Sequence, residues 1–293
     1  LRMGDLGYTS NAQSSLNVCY NNLDNYLATL SNAIVTPHPS YAQFDVTENG
    51  ERAQLNDSLL QIENEFYSPI RPKRVAQSGE APIVALKRGG IEYIEIRCID
   101  INPFLPLGID AQTMRLIDVF LVDAILSESP LCDEDGQRRN QENLRRVVND
   151  GRSPDLQLLT PEGEKPLQTV AQELFTSMSQ TAEAMDAEAG SDLHRQAMTA
   201  ASARIVDPES TPSGRVLQEM RDTNTPFWQL ALNYSKQWHK GHLARPLGSI
   251  EEAEFHTATA VSLNQQKAME QDTQESFQTY LDRFYNQYRG ADD

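Results

Sequence analysis

Two stretches in the first third of the chain alternate apolar and polar residues with the period of a β-strand. The run 88–104 is rich in isoleucine, begins with Gly-Gly and ends with Asn-Pro-Phe, which is typical punctuation for a strand. Successive side chains point to opposite faces. The polar face would carry Tyr93, Glu95 and Arg97, and the apolar face Ile94, Ile96 and Cys98. We expect the apolar face, including Cys98, to be buried.

The stretch 59–67 alternates in the same way and predicts a second strand. Its polar face would carry Gln61, Glu63, Glu65 and Tyr67, and its apolar face Leu60, Ile62 and Phe66. A short connector with some helical character, residues 79–88, leads to the Gly-Gly pair. Strands joined this closely are commonly antiparallel neighbours. We therefore expect the two polar faces to form one surface.

Helical periodicity dominates the rest of the sequence, so the pattern predicts an α+β protein. We expect residues 1–106 to form an antiparallel sheet with one helix and residues 107–293 to form a helical region packed on that sheet. The last predicted helix is long, weakly apolar and exposed. The predicted helices span 14–34, 110–126, 135–149, 167–187, 191–205, 214–221, 227–240 and 251–288.

An acid beside a base on a strand face has two interpretations. Glu95 and Arg97 either form a solvated ion pair or hold a metal ion and an anionic oxygen close together. The basic cluster Arg71, Lys73 and Arg74 has a similar pair of readings, a solvated loop or an anion site. The residues of these stretches leave both alternatives open.

The charge balance narrows the class of partner. The 293 residues carry a net charge of −17, which repels nucleic acid and anionic membranes, so we expect neither as a partner. No apolar run is long enough for a membrane span, and the three widely spaced cysteines fit a reducing cytoplasm. There is no glycine-rich phosphate loop, so a nucleotide would have to bind through metal-bridged phosphates on a sheet face.

Three blocks together closely resemble the proteobacterial type of glutamate–cysteine ligase, also called γ-glutamylcysteine synthetase. They are Leu1–Tyr8 (LRMGDLGY), Gln61–Arg74 (QIENEFYSPIRPKR) and Arg88–Phe104 (RGGIEYIEIRCIDINPF). The resemblance runs with high specificity to about residue 156 and more loosely beyond it. Members of that family extend much further at the N-terminus, so we expect this chain to be the C-terminal portion of one.

The resemblance implies a fold and a reaction. The fold is a glutamine synthetase-like curved antiparallel sheet, here partial, whose concave face holds the active site. In the reaction, ATP phosphorylates the side-chain carboxylate of L-glutamate, and the amino group of L-cysteine attacks the acyl phosphate. The products are γ-glutamylcysteine, ADP and phosphate, in the first step of glutathione synthesis.

The resemblance also implies roles for individual residues. Glu95 is similar to a magnesium ligand of the family, with manganese as a substitute metal, and Arg97 would neutralise the phosphate being transferred. Arg2 resembles the other active-site arginine, which holds carboxylate or phosphoryl oxygens. Tyr8 and Tyr67 resemble the aromatic walls of the cysteine pocket.

The basic cluster Arg71, Lys73 and Arg74 would contact the nucleotide phosphates. With this resemblance, the polar face of 88–104 becomes one wall of a metal and phosphate site.

The family's other acidic metal ligands lie upstream of Leu1, so we expect this polypeptide alone to be inactive and to need the missing N-terminal portion of the same enzyme. Two other hypotheses remain. One is a related ATP-dependent carboxylate–amine ligase that uses a different amine, and the other is an inactive helical interaction module.

Overall fold

A computed structural model describes residues 3–4, 12–13, 16–44, 47–48, 51–272 and 275–289. Helices dominate the described chain, and the strands are short. The helices are α1 (Leu23–Val35), α2 (Pro39–Ala42), α3 (Pro82–Gly89), α4 (Ala111–Leu126), α5 (Glu134–Asp150), α6 (Leu167–Ala189), α7 (Leu193–Val206), α8 (Pro212–Thr223), α9 (Phe227–Leu243), α10 (Ser249–Gln271) and α11 (Phe277–Arg289). The strands are β1 (Thr47–Glu48), β2 (Glu51–Arg52), β3 (Ile70–Lys73), β4 (Tyr93–Ile96), β5 (Gln157–Thr160) and β6 (Gly163–Pro166).

Three two-stranded antiparallel ladders pair these strands in chain order: β1 with β2, β3 with β4, and β5 with β6. The β3–β4 ladder, hereafter the ribbon, places Arg71 opposite Glu95 and Lys73 opposite Tyr93. Residues directly opposite each other in an antiparallel pair point to the same face. The ribbon therefore has a polar face that holds both basic residues and Glu95.

The prediction of a strand at residues 59–67 is wrong. The chain runs there through an irregular segment into a short 3-10 turn, Glu63–Glu65, and the strand that pairs with β4 begins only at Ile70. Strand alternation would put Leu60 and Glu63 on opposite faces, yet both are buried. Glu63 is buried because its carboxylate accepts hydrogen bonds from Ile83 N and from the Tyr288 hydroxyl.

The strand predicted within 88–104 exists but is confined to Tyr93–Ile96. Its apolar face is not buried as expected, since Ile94 is 42% exposed. Cys98 is also exposed, so the expectation that it is a buried core residue is wrong. The connector predicted to be helical is α3, which has proline in its first turn and ends at Gly90, where φ is +71°.

One hydrophobic core joins distant parts of the chain. Helix α1 starts at Asn22, whose side chain accepts a hydrogen bond from Asn25 N, and it buries one apolar stripe. That stripe packs with Leu60, Phe66, α3 and the C-terminal Tyr288. Each fully buried leucine in such a core contributes about 1.5–3 kcal/mol. The buried members of the stripe are Tyr26, Leu27, Leu30, Ala33 and Ile34.

A second core holds α4, α6 and α7 together through Val119, Met178, Ala182 and Met198. The α6–α7 pair lies in the region predicted to be helical, and the observed ends of α4, α6 and α7 differ from the predicted ones by at most two residues. The β5–β6 hairpin between α5 and α6 was not predicted. Its turn contains Gly163 at φ +123°, a conformation that favours glycine.

The long exposed helix predicted at 251–288 is two helices. Helix α10 has no buried residue, as expected for an exposed helix. Helix α11 differs, because Leu281 and Tyr288 are buried. Among the described residues, no helix combines the length and apolar character needed to cross a membrane. The division into residues 1–106 and 107–293 stays a prediction.

Candidate active site

Three basic side chains and one carboxylate meet on the polar face of the ribbon. Glu95 Oε2 lies 3.6 Å from Lys73 Nζ, and Glu95 Oε1 lies 3.8 Å from Arg97 Nε. Both distances are longer than a hydrogen bond. Arg71 faces Glu95 directly across the ladder. The arrangement concentrates positive charge locally in a chain whose net charge is strongly negative.

Arg97 is held from two sides. Its backbone N–H donates to the carbonyl of Pro69 at 2.7 Å, which continues the ladder past Ile96. Its guanidinium Cζ lies 5.3 Å from the centre of the Tyr67 ring, within the range of a cation–π contact. Arg97 Nε is buried and has no hydrogen-bond partner within the described part of the chain. The guanidinium is therefore oriented but not saturated.

Arg71 is more deeply buried, with only 5% of the residue exposed. Its Nη2 donates to the carbonyl of Asn64 at 3.0 Å, whereas its buried Nε lacks a partner among the described residues. Burial lowers the pKa of the Arg71 guanidinium, and the positive charge of Arg97 lowers it further. Two adjacent guanidinium groups, each with a buried Nε that lacks an acceptor among the described residues, favour an anion beside them.

Arg74, the third member of the predicted cluster, has a different environment. Its guanidinium donates to the carbonyls of Gly89 and Gly90 and lies 3.6 Å from Glu92. These contacts fasten the end of β3 to the segment that connects α3 with β4. Lys73, in contrast, points to Glu95 on the polar face. The structure thus groups Arg71 and Lys73 with Arg97, and it commits Arg74 to the backbone.

Glu63 and Glu65 do not belong to the polar surface on which the sequence pattern placed them. Glu63 is buried against α3 and α11. Glu65 accepts a hydrogen bond from Gln61 N at 2.7 Å and so closes its own turn. Both carboxylates therefore stabilise the segment that leads into Tyr67.

Sequence reasoning missed two tyrosines behind the ribbon. The Tyr20 hydroxyl donates to the carbonyl of Ile70 at 3.1 Å, and its ring lies 5.5 Å from the ring of Tyr26. Burial raises the pKa of both hydroxyl groups. Neither residue lies in a motif, and only the helical stripe that buries Tyr26 was a signal for it. The positive charge of Arg71 opposes this rise in the pKa of both hydroxyl groups.

Arg2 and Tyr8 lie outside the described residues, so the structure places neither of them. The described residues also contain no group of three or more His, Cys, Asp or Glu side chains placed to hold a metal ion. Within them, Glu95 is a single carboxylate with two cations beside it. It does not form a magnesium site by itself.

A sequence model described as "Glutamate-cysteine ligase" matches residues 1–147. That match covers the whole ribbon, α1, α3 and the segment that carries Tyr67. The chain belongs to the glutamate–cysteine ligase family. The predicted family is confirmed, and so is the α+β class with its small antiparallel sheets and helical remainder.

Curated members of the glutamate–cysteine ligase family align with nearly the whole chain. The glutamate–cysteine ligase of Pseudomonas paraeruginosa is 41% identical over 281 residues, which are 96% of this chain and 53% of that protein. The glutamate–cysteine ligase of Janthinobacterium sp. is 42% identical over 287 residues, which are 98% of this chain and 54% of that protein. The chain therefore spans about half the length of the curated relatives it matches.

Solved structures agree with this family assignment. The crystal structure of glutamate–cysteine ligase from Francisella tularensis in complex with AMP superposes with a TM-score of 0.90 at 29% identity, covering 99% of this chain and 57% of that one. A bifunctional glutathione synthetase from Pasteurella multocida superposes with a TM-score of 0.54 at 19% identity, covering 81% of this chain and 26% of that one. The second likeness concerns the fold alone.

Proposed function

We propose that this chain is the portion of a glutamate–cysteine ligase that supplies one wall of its active site. The reaction joins the side-chain carboxylate of L-glutamate to the amino group of L-cysteine at the expense of ATP. The observation that supports this most directly is the convergence of Arg71, Lys73 and Arg97 around Glu95 inside the family match. The AMP complex of the Francisella relative supports a nucleotide as one substrate.

The chemistry explains why such a wall is cationic. A free carboxylate is a poor acyl donor, because its oxygen is a poor leaving group. Transfer of the γ-phosphoryl group of ATP to that oxygen gives ADP and an acyl phosphate. The amine nitrogen of cysteine then bonds to the acyl carbon as the C–O bond to phosphate breaks, and the amine loses a proton. Fixed positive charge stabilises the phosphoryl oxygens throughout.

The described site residues have separate roles in this reaction. Arg97 donates to oxygens of the phosphoryl group, and its orientation is fixed by the Tyr67 ring at 5.3 Å. Arg71 lies behind it as a second buried cation, and Lys73 contributes a partly exposed ammonium group. Tyr67 forms a wall of the cysteine pocket. Arg2 and Tyr8 would complete the carboxylate clamp and the pocket, as their sequence positions predict.

Magnesium is part of the proposal only through Glu95. Divalent metal neutralises triphosphate charge in reactions of this type. The Glu95 carboxylate contacts its two cations at more than hydrogen-bond distance and so retains lone pairs for a ligand. One carboxylate does not fill an octahedral shell. The remaining ligands must come from elsewhere in the enzyme, and no catalytic step here depends on the metal.

The proposal also includes an N-terminal portion of the same enzyme. The chain aligns with about half of the length of its curated relatives. In addition, apolar residues on and beside β4 are exposed. Exposed apolar clusters of this kind are typical of surfaces that another element covers. We propose that the N-terminal portion of the same enzyme packs there and adds the other metal ligands. The exposed residues are Ile91, Tyr93, Ile94, Ile99 and Ile101.

Glu95→Gln in the full-length ligase tests the site. We expect the substitution to lower kcat by at least about 100-fold, which is the scale of losing one charge-stabilising group. Activity is measured as ADP release that requires glutamate, cysteine and magnesium, and the thermal unfolding midpoint is measured beside it. Glu92→Gln is the matched control, because Glu92 directly precedes β4 and contacts Arg74 instead.

Two results would contradict the proposal. Near-normal turnover by Glu95→Gln would remove Glu95 from the site. Turnover by the 293-residue chain alone would show that no further portion is required. Replacing cysteine with other amino acids in the same assay identifies the amine that the enzyme accepts.

A further inference from the structure

The helix α11 lies far outside the matched family region, which ends at residue 147, yet it packs in the core that contains Phe66, next to the site residue Tyr67. Tyr288 is 4% exposed and shares a core with Phe66, the residue before Tyr67. Phe284 and Tyr285 pack against the same core. The helix is thus in contact with the segment that leads into the ribbon.

Hydrogen bonds fasten α11 to that segment at two points. The Tyr285 hydroxyl donates to the carbonyl of Gln61 at 2.9 Å, and the Tyr288 hydroxyl donates to Glu63 Oε2. The other carboxylate oxygen of Glu63 accepts from Ile83 N at 3.1 Å. Glu63 therefore links α11, the 63–65 turn and the N-terminus of α3.

The same α11 contacts reach α3 by a second route. Gln287 accepts a hydrogen bond from Ala81 N at 2.9 Å and donates to the carbonyl of Gly79 at 2.9 Å. The N-cap residue of α3 is Ala81, whose side chain makes no hydrogen bond to the backbone N–H groups of the first turn. Residues from α11 and from the 63–65 turn thus take over the capping that the local sequence does not supply.

The 63–65 turn contacts one guanidinium group of the site directly and lies two residues before the side chain that contacts the other. The carbonyl of Asn64 accepts the hydrogen bond from Arg71. Tyr67, two residues after the turn, lies against the Arg97 guanidinium. A displacement of the turn would therefore move one wall of the pocket and the partner of one buried cation together.

We propose that Glu63 and Tyr288 are positioning residues for the ligase reaction. Helix α11 holds the 63–65 turn, and the turn sets where Tyr67 stands in the pocket for the amine substrate. This inference rests on the proposed function for the role of Tyr67. Neither residue touches a reacting atom, since both lie in the core behind the ribbon.

Tyr288→Phe in the full-length ligase tests the proposal. The substitution keeps the ring and removes one donor from a buried carboxylate, so the turn loses a restraint. We expect KM for cysteine to rise about five- to tenfold while kcat and KM for ATP change less than about twofold, the pattern of weakened binding of one substrate. Hydrogen exchange of the amides in 61–67 should accelerate in the same variant.

Tyr280→Phe is the matched control, because Tyr280 lies on the same helix and stacks with Phe277 and Phe284. Its KM values and its exchange at 61–67 should equal those of the unsubstituted enzyme. Glu63→Gln is the conservative variant, since its amide oxygen can still accept from Ile83 N while its NH2 group donates to the Tyr288 hydroxyl oxygen, with the direction of that bond reversed. We expect it to lie closer to the unsubstituted enzyme than Glu63→Ala does.

Several outcomes decide the matter. A lower thermal midpoint with unchanged KM for cysteine and unchanged exchange at 61–67 overturns the inference and leaves a purely stabilising role. If Tyr288→Phe does not fold, Tyr285→Phe replaces it, and an unchanged KM for cysteine in that variant overturns the inference equally. A full-length enzyme that consumes no cysteine overturns the proposed function instead, and the exchange data then decide whether α11 holds the turn.

Discussion

Charged side chains in the helical half and on the ribbon differ in how fully their hydrogen-bonding groups are paired. Asp186 is 2% exposed, and it accepts hydrogen bonds from Ser191 Oγ and from the backbone N–H groups of His194 and Arg195 at 3.0 Å each. It therefore caps the start of α7 from the preceding helix. On the ribbon, the Glu95 carboxylate has its cations at 3.6 and 3.8 Å, and Arg71 Nε has no acceptor among the described residues.

The difference distinguishes charged side chains whose hydrogen bonds stabilise the fold, such as Asp186, from charged side chains that are open to a ligand, such as Arg71. A buried carboxylate surrounded by donors repays its desolvation within the chain. The buried Nε of Arg71 has no acceptor among the described residues, and an anionic ligand would supply one. Asp123 belongs to the first class, because it accepts from Ser177 and Thr181 at 2.9 and 2.8 Å.

Arg71→Met is the strongest test of this comparison. If Arg71 serves the ligand, the variant of the full-length ligase should lose at least about 100-fold in kcat/KM. Its thermal midpoint should change little, because replacing a buried charge by an apolar side chain of similar length is often neutral. Steady-state kinetics and thermal unfolding measure the two quantities. Arg74→Met should lose far less activity, since Arg74 binds backbone carbonyls; equal losses in the two variants would contradict the comparison.

Asp186→Asn probes the saturated side of the comparison. The amide would bring a donor towards the N–H groups of His194 and Arg195, so we expect the thermal midpoint to fall by several degrees with KM values unchanged. A change in KM without a change in the thermal midpoint would contradict the assignment of Asp186 to the charged groups that only stabilise the fold.

The pH dependence of the same variant sharpens the result. Burial alone would raise the pKa of the Asp186 carboxyl, but hydrogen bonds from Arg195, His194 and Ser191 lower it overall below its ordinary value of 3.8. The stabilisation is therefore complete well above pH 3.8 and is lost as the pH falls below that value. The gap in midpoint between the unsubstituted protein and Asp186→Asn should narrow on acidification. A constant gap from pH 7 to pH 3 would rule out this linkage.

Arg138→Gln should have the smallest effect. Arg138 pairs with Asp135 on the surface of α5, and its side chain is 78% exposed. Exposed pairs of this kind contribute about 0.5 kcal/mol or less. Denaturant unfolding measures the difference, and a much larger loss would show that exposure is a poor guide to the worth of charges in this chain.

Sequence periodicity predicted most of the helices, because their signals are local, although residues 16–22 are not helical and α1 begins at Leu23 instead of residue 14. Asp110 caps α4 through a hydrogen bond from Thr113 N, and Gly151 ends α5, so both boundaries can be found within a few residues. The 59–67 segment misled the same reasoning. Its alternation is real, but Glu63 is buried by partners 20 and 225 residues away along the chain, which no local pattern encodes.

The polar face itself was predicted in part. Glu95 and Arg97 were placed on one face by alternation, and the structure puts them 3.8 Å apart. The separation of Arg71 from Arg74 was not predictable, because it depends on which guanidinium reaches the carbonyls of Gly89 and Gly90. The roles of the site residues in the reaction stay predictions.

The bond between Glu63 and Tyr288 also bears on how the protein is made. A ribosome adds about 5–20 residues per second, so the 225 residues between these two take on the order of 10 to 45 seconds to synthesise. Through that interval, the core of α1, α3 and Phe66 lacks Tyr288, and its apolar surface is open to chaperones or to other nascent chains. Completion of this core therefore follows the synthesis of Glu63 by that interval.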